Sequence, residues 1–230
     1  MSGDAGPAVV DLDASTVFPP PGVRVVVFDV VGTLIEPTPS VAEAYRTAAA
    51  GHGMLVELAE IRRRFRAAWR RQEAVDAAQV PAFATSRDRE AGRWRAIVEE
   101  VFDGDERAEG IFAELWRHFG TVDAWAPIDR GRELVRAAVD AGATVALASN
   151  FDERLLTIAR VIEPLSWVPH VFPSSEIGWR KPAPEFFREL EARLGCRPEE
   201  TLLVGDDPDL DVRAAQRAGW RTLGVGAAAG

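Results

Sequence analysis

The chain has 230 residues, enough for one large domain or for one domain with a smaller one inserted into it. Its formal net charge of −9 and sequence pI of about 5.0 exclude the overall basic surface that is typical of nucleic-acid-binding proteins. No apolar stretch reaches the length of a membrane span, and the single cysteine, Cys196, cannot form an internal disulfide.

Residues 1–22 have neither a basic start nor a long apolar core, so they do not resemble a signal peptide. Their glycine, aspartate and proline content predicts a flexible, partly extended tail. We therefore expect a reduced, cytoplasmic protein with no nucleic-acid or membrane partner.

The first strand is predicted at Val25–Phe28, a continuous apolar run of the kind that is buried on both faces of a parallel sheet. The run ends at Asp29, and Gly32 and Thr33 then allow a sharp exit from the strand. A carboxylate at the carboxyl end of such a strand lies where open α/β sheets bind their ligands. The segment therefore predicts a functional site at Asp29.

Four amphipathic helices are predicted after a turn-like break at 36–39. Ser40 and Glu43 have the spacing of a capping box, and apolar residues then recur three and four positions apart in four stretches up to residue 119. Such helices can bury their apolar faces against one another as a small bundle. Trp69, Trp94 and Trp116 lie on these faces, so we expect them in the core of the bundle rather than at a ligand.

Beyond residue 126, strand-like and helix-like segments alternate, as a doubly wound parallel sheet requires. Polar residues follow three of these strands. Ser149 and Asn150 end the segment 144–150, Lys181 lies in 178–184, and the segment 201–211 runs into the acidic loop from Asp206 to Asp211. Lys181 is the only lysine, against 26 arginines, which singles it out as a functional residue.

These four segments, in this order, resemble the four motifs of the haloacid dehalogenase-like superfamily. The motifs are D-x-D-G-T, a serine or threonine, a lysine, and G-D-x-x-x-x-D. The resemblance implies a Rossmann-like α/β core made of residues 23–36 and 127–230. It also implies a helical cap, residues 37–126, inserted just after the first motif.

The resemblance also implies a role for each matching residue. Asp29 would be the nucleophile and form an aspartyl-phosphate that water hydrolyses. Ser149 and Lys181 would bind and neutralise the transferred oxygens, because phosphoryl transfer depends mainly on positioning and charge. Thr33 and Asn150 are second candidates for substrate binding, and each could equally be a turn residue.

A magnesium ion is expected between the nucleophile and the phosphate, because the two negative groups repel each other. Its ligands would be Asp29, Asp206 and the backbone carbonyl of Val31, with Asp211 holding a bound water or orienting the other ligands. Two more acids of the same loop, Asp207 and Asp209, are interpreted as caps of the following helix.

The sequence departs from the first motif at Val31, where phosphatases of the family carry the aspartate that acts as general acid and base. Losing such an acid typically lowers a rate by a factor on the order of a hundred to ten thousand.

Three interpretations of the function remain open. The protein is a magnesium-dependent phosphatase of a small phosphorylated metabolite, a non-catalytic binder of phosphate or metabolite, or a 2-haloacid dehalogenase-like hydrolase. The first could use good leaving groups or an acid from the cap. The dehalogenases also lack that aspartate, but they usually carry tyrosine there and lack the Gly205-Asp206 pair.

Overall fold

The computed structural model describes residues 17–225, so most of the predicted tail lies outside the described residues. Its strands are β1 (Val25–Phe28), β2 (Ile35–Pro37), β3 (Trp125–Pro127), β4 (Thr144–Ser149), β5 (His170–Pro173), β6 (Thr201–Gly205) and β7 (Arg221–Gly224). Its helices are α1 (Val41–Gly51), α2 (Leu58–Ala78), α3 (Arg87–Val101), α4 (Ala108–His118), α5 (Asp129–Asp140), α6 (Leu155–Ile158), α7 (Ser174–Ile177), α8 (Pro184–Leu194) and α9 (Ala214–Arg217). Within 17–225, no helix is both long and apolar enough to cross a membrane.

Five strands form one parallel sheet in the order β5-β4-β1-β6-β7. Val27, at the centre, pairs with Ala146 of β4 and with Leu203 of β6. The chain runs outward to β5 on one side of β1 and then returns to build β6 and β7 on the other. The predicted α/β class with a doubly wound parallel sheet is therefore confirmed, and the reversal of strand order lies beside β1.

Both faces of the sheet are buried, which explains why β1 is an unbroken apolar run. Val26 and Phe28 belong to the apolar cluster on one face, and Val25 and Val27 to the cluster on the other. None of these four side chains is more than 5% exposed. An alternating polar pattern would place polar groups in one of these two clusters.

Helices α1 to α4 form a separate layer with its own apolar core, which we call the cap. Tyr45, Ile61, Ile97 and Ile111, one from each helix, are at most 1% exposed in this core. The chain enters and leaves the cap through β2 and β3, which pair in antiparallel fashion. Both ends of the cap therefore join the sheet domain at the same place.

The cap contacts the sheet domain a second time, through the connection between α2 and α3. The backbone N–H of Thr85 donates to the carbonyl of Gly178 at 2.9 Å, and that of Arg180 donates to the carbonyl of Phe83 at 3.0 Å. These bonds lie directly before Lys181. The middle of the cap is thus tied to the loop that carries the lysine.

A cluster of charges, the junction network, accompanies these backbone bonds, and all its members except the partly exposed Glu73 are buried. It is formed by Glu73, Asp76, Glu90, Arg93 and Arg180. Nη1 of Arg180 donates to both carboxylate oxygens of Glu90 at 2.7 Å, and the two residues are 2% and 1% exposed. Since Glu90 lies on α3 and Arg180 precedes Lys181, the network joins the cap to the loop that carries the lysine.

Candidate active site

Four of the polar residues singled out in the sequence meet at the carboxyl edge of the central strands. Asp29 follows β1, Ser149 ends β4, Asp206 follows β6, and Lys181 reaches the same point from the loop after α7. Carboxyl ends of neighbouring parallel strands share one edge of the sheet, which is why residues far apart in sequence converge here.

Asp29 is held by two donors on a single carboxylate oxygen. Nζ of Lys181 donates to Oδ1 of Asp29 at 2.6 Å, and the hydroxyl of Ser149 donates to the same atom at 3.0 Å. Among the described residues, no side-chain or backbone donor contacts Oδ2 of Asp29. The arrangement fixes the carboxylate and leaves one oxygen available for reaction.

Burial raises the pKa of Asp29 to about 7, with further contributions from Asp211 and Asp206, although Lys181 opposes the shift. Burial alone would lower the pKa of Lys181, but the charges of Asp211 and Asp29 outweigh it and raise that pKa. Lys181 donates to both acids at 2.6 Å. The lysine therefore stays charged, but its single positive charge cannot neutralise the three carboxylates of Asp29, Asp206 and Asp211.

These three carboxylates are suited to a hard cation. Oxygens of Asp29, Asp206 and Asp211 lie within 4.8 Å of one another. The carbonyl of Val31 accepts no hydrogen bond from residues 17–225, so it is also free to bind a ligand. An all-oxygen set of carboxylates and a carbonyl is what Mg²⁺ prefers in proteins.

Two glycines make room for the acids. A Cβ at Gly32 would lie 2.4 Å from Oδ2 of Asp206, and one at Gly205 would lie 2.4 Å from the carboxylate of Asp211. Gly32 also has a φ of +89°, which side chains rarely adopt. A residue larger than glycine at either position would displace a carboxylate from the cluster.

Thr33 and Asn150 both bind protein groups in this site. The hydroxyl of Thr33 donates to Oδ1 of Asp206 at 3.0 Å. The side chain of Asn150 bonds to the backbone of Lys181 twice, accepting from its N–H at 2.7 Å and donating to its carbonyl at 2.9 Å. Each therefore positions a charged residue.

The two remaining acids of the loop differ from each other. Asp207 caps the irregular helical segment at 208–213, because its Oδ1 accepts from the N–H groups of Asp209 and Leu210 at 2.7 and 2.8 Å. The interpretation of Asp209 as a second cap is wrong. Its exposed carboxylate pairs with Arg213 one turn later, since only one residue can occupy the capping position.

A cavity of about 500 Å³ lies between the cap and this edge of the sheet. Val31 and Asn150 line it from the sheet domain, and the cap contributes most of the rest. Trp69, Trp94 and Trp116 pack on the core of the cap as predicted, but they are only partly buried and also line the cavity. Periodicity identified their helix face and could not show that the face extends past the core.

The cavity offers no free carboxylic acid among its described lining. Its one acid, Asp152, accepts from Nε and Nη2 of Arg154 at 2.7 Å each. Its one phenol, Tyr45, has a pKa raised by burial, which makes the hydroxyl a weaker proton donor. The sequence left open an acid supplied by the cap, and no such group lines the cavity.

Comparison with known proteins relates the whole arrangement to one family. Residues 23–219 match the model of the haloacid dehalogenase-like hydrolases. The chain is 28% identical to human haloacid dehalogenase-like hydrolase domain-containing protein 3, over 87% of this chain and 81% of that protein. It is 46% identical to the phosphoserine phosphatase of Thermus thermophilus, over 57% and 52%. The structure of the HAD-hydrolase YfnB of Bacillus subtilis, bound to magnesium, superposes with a TM-score of 0.64 at 19% identity, covering 87% of each chain.

Proposed function

Because the chain belongs to the haloacid dehalogenase-like hydrolases, we propose that it is a magnesium-dependent phosphatase with Asp29 as nucleophile. The observation that carries the proposal is the contact of Lys181 with both Asp29 and Asp211, at 2.6 Å each, inside a cluster of three carboxylates. The pair of Asp206 and Asp211 has no evident role in displacing a halide, whereas a cation beside the nucleophile is needed to bring a phosphate to it.

In the first step, the free Oδ2 of Asp29 forms a bond to phosphorus and the ester bond to the leaving oxygen breaks. The ammonium of Lys181 and the hydroxyl of Ser149 would bind the transferred oxygens. In the second step, water attacks the aspartyl-phosphate, which releases phosphate and restores the carboxylate. Asn150 keeps the lysine in place through its two bonds to the backbone of that residue.

Asp29, Asp206 and the carbonyl of Val31 would hold magnesium, with Asp211 beside them. When bound, the ion supplies positive charge that offsets the repulsion between the nucleophile and the phosphate. Asp211 also accepts from Lys181 and from the N–H of Asp207, at 2.6 and 3.1 Å, so it links the lysine to the acidic loop.

The test compares Asp29→Asn with the matched exposed variant Asp209→Asn, using acetyl phosphate, a small substrate with a good leaving group. We expect Asp29→Asn to abolish turnover and Asp209→Asn to retain it, and excess chelator to stop the unmodified protein. Turnover that survives in folded Asp29→Asn would refute the covalent step. Chloride released from 2-chloropropionate in the presence of chelator would instead establish the dehalogenase reaction, and phosphate binding without turnover would establish a binding protein.

A further inference from the structure

The cavity between the cap and the sheet edge that carries Asp29 is lined mainly by apolar groups. Nine of its lining side chains are aromatic, among them Phe65, Trp69, Trp94, Trp116 and Phe119. Several pack edge-on or obliquely on one another, as Trp69 does on Trp94 at 5.7 Å between ring centres. Its volume of about 500 Å³ falls within the usual range for sites that enclose a small molecule.

The lining of the cavity also determines which leaving groups can depart from it. Val31, two residues after Asp29, faces the cavity, and the one carboxylate of the lining is held by Arg154. A leaving oxygen in this cavity would therefore depart without a proton from a side chain. Phenols tolerate this far better than alcohols, because the phenolate charge spreads into the ring.

From these two observations we propose that the cavity binds the aromatic body of an aryl phosphate, the phosphate ester of a phenol with more than one ring. The inference rests on the proposed phosphatase function and specifies its substrate class. The aromatic walls bind the ring by stacking and burial, and the low basicity of the phenolate replaces the missing acid. Asp29 gains the phosphoryl group, the P–O bond to the phenol breaks, and the phenolate leaves with the electron pair.

Two arginines extend this specificity. Arg66 and Arg70, one turn apart on α2, line the cavity and are exposed. Neither forms a salt bridge with a described residue, whereas the neighbouring Arg63 and Arg64 both pair with Glu60. An acidic substituent on the ring would find these two charges unengaged, so we expect carboxylated aryl phosphates to be preferred.

The experiment separates the ring from the leaving group with three substrates at saturating magnesium. 2-Naphthyl phosphate has both features, 2-(2-naphthyl)ethyl phosphate has the ring with an alcohol leaving group, and acetyl phosphate has a good leaving group without a ring. We expect both naphthyl compounds to show a KM at least about tenfold below that of acetyl phosphate. We expect the kcat of the phenol ester to exceed that of the alcohol ester by on the order of a hundredfold or more.

A binding measurement makes the inference independent of turnover. Calorimetric titration of Asp29→Asn with 2-naphthyl phosphate is expected to give a Kd at least about fivefold lower than the same titration of Asp29→Asn/Trp94→Leu. Trp167→Leu in place of Trp94→Leu is the matched control, since Trp167 is a partly buried tryptophan of the sheet domain that does not line the cavity. That control is expected to leave the Kd unchanged.

The outcomes separate the two proposals. Hydrolysis of acetyl phosphate with no preference for the naphthyl ring, in KM or Kd, overturns the inference and leaves the phosphatase function standing. Equal kcat for phenol and alcohol esters overturns the leaving-group argument. If none of the three substrates is hydrolysed, the phosphatase proposal itself is overturned.

The preference for carboxylated substrates is tested with the double variant Arg66→Gln/Arg70→Gln. We expect this variant to lower kcat/KM about tenfold for 4-carboxyphenyl phosphate and not for phenyl phosphate. An equal effect on both substrates would overturn the role of the two arginines.

Discussion

The buried pair of Arg180 and Glu90 gives the sharpest stability prediction. Arg180→Met removes the one cation within residues 17–225 that contacts Glu90, a carboxylate that is 1% exposed. Only the hydroxyls of Thr85 and Ser174, at 3.0 and 3.1 Å, then remain to solvate its charge. Removing one partner of a buried ion pair typically costs about 3–5 kcal/mol, and we expect Arg180→Met to lower the free energy of unfolding by that amount.

Glu90→Gln should cost less. The guanidinium of Arg180 keeps two acids nearby, Asp76 at 3.6 Å and Glu73 at 3.7 Å, and the amide oxygen of the glutamine can still accept a hydrogen bond. We expect a loss of about 1.5–3 kcal/mol, the usual contribution of a hydrogen bond to a charged group. The double variant should cost less than the sum of the single variants, because Arg180→Met no longer leaves an unpaired carboxylate.

Urea unfolding at pH 7.5, followed by circular dichroism, measures all three variants. Arg188→Met is the control, since Arg188 forms an ion pair with Glu185 on the surface of α8, where we expect no measurable change. If Arg180→Met were no more destabilising than Arg188→Met, or if the double variant were additive, the junction network would not hold the cap to the sheet domain. A fall in kcat for Arg180→Met that Glu90→Gln reproduces would further show that the network positions Lys181.

Three other predictions concern the site itself. Val31→Asp should raise kcat for an alkyl phosphate by about tenfold or more and for an aryl phosphate much less; a fall on both substrates would show that the site cannot use an acid there. Asn150→Ala removes both bonds to the backbone of Lys181 and should lower kcat at least about tenfold without unfolding the protein, whereas a change in KM alone would contradict a positioning role. The pKa of Asp29 is about 7 in the folded protein and near 4 in the unfolded chain, so between these pH values only the folded protein holds this proton. Without metal, the contribution of Asp29 to the free energy of unfolding therefore falls as pH rises from about 4 to 7. Magnesium should therefore raise Tm more at pH 8 than at pH 5, and an equal rise would refute carboxylate binding.

The fold and the members of the polar cluster could be predicted because their signals are local. Val25–Phe28 is apolar along its whole length, and the polar residues that follow β1, β4 and β6 meet simply because parallel strands end at one edge. The pairing of Glu90 with Arg180 has no such signal. The residues are 90 positions apart, and each looks like an ordinary surface charge of a helix or loop.

The cavity could not be predicted for a related reason. Helical periodicity assigns Trp69 and Trp94 to the apolar face of the cap, but whether such a face ends in packed core or in open space depends on how the cap sits over the sheet. Arg63 and Arg64 lie three and four positions after Glu60, so helical spacing alone predicts that they pair with it, whereas only the tertiary arrangement shows that Arg66 and Arg70 line the cavity.

The second attachment of the cap limits how this protein can be recombined with its relatives. The ribbon of β2 and β3 alone would make the cap a cassette that can be exchanged at two adjacent cut points. The backbone bonds from 83–85 to 178–180 add a contact between the cap and a segment far from these cut points in the sequence. A chimaera with the cap of a relative would also need that relative's segment equivalent to 178–180, which would replace the residues that precede Lys181. Exchanging the cap would therefore replace the cavity lining and the residues that precede Lys181 together.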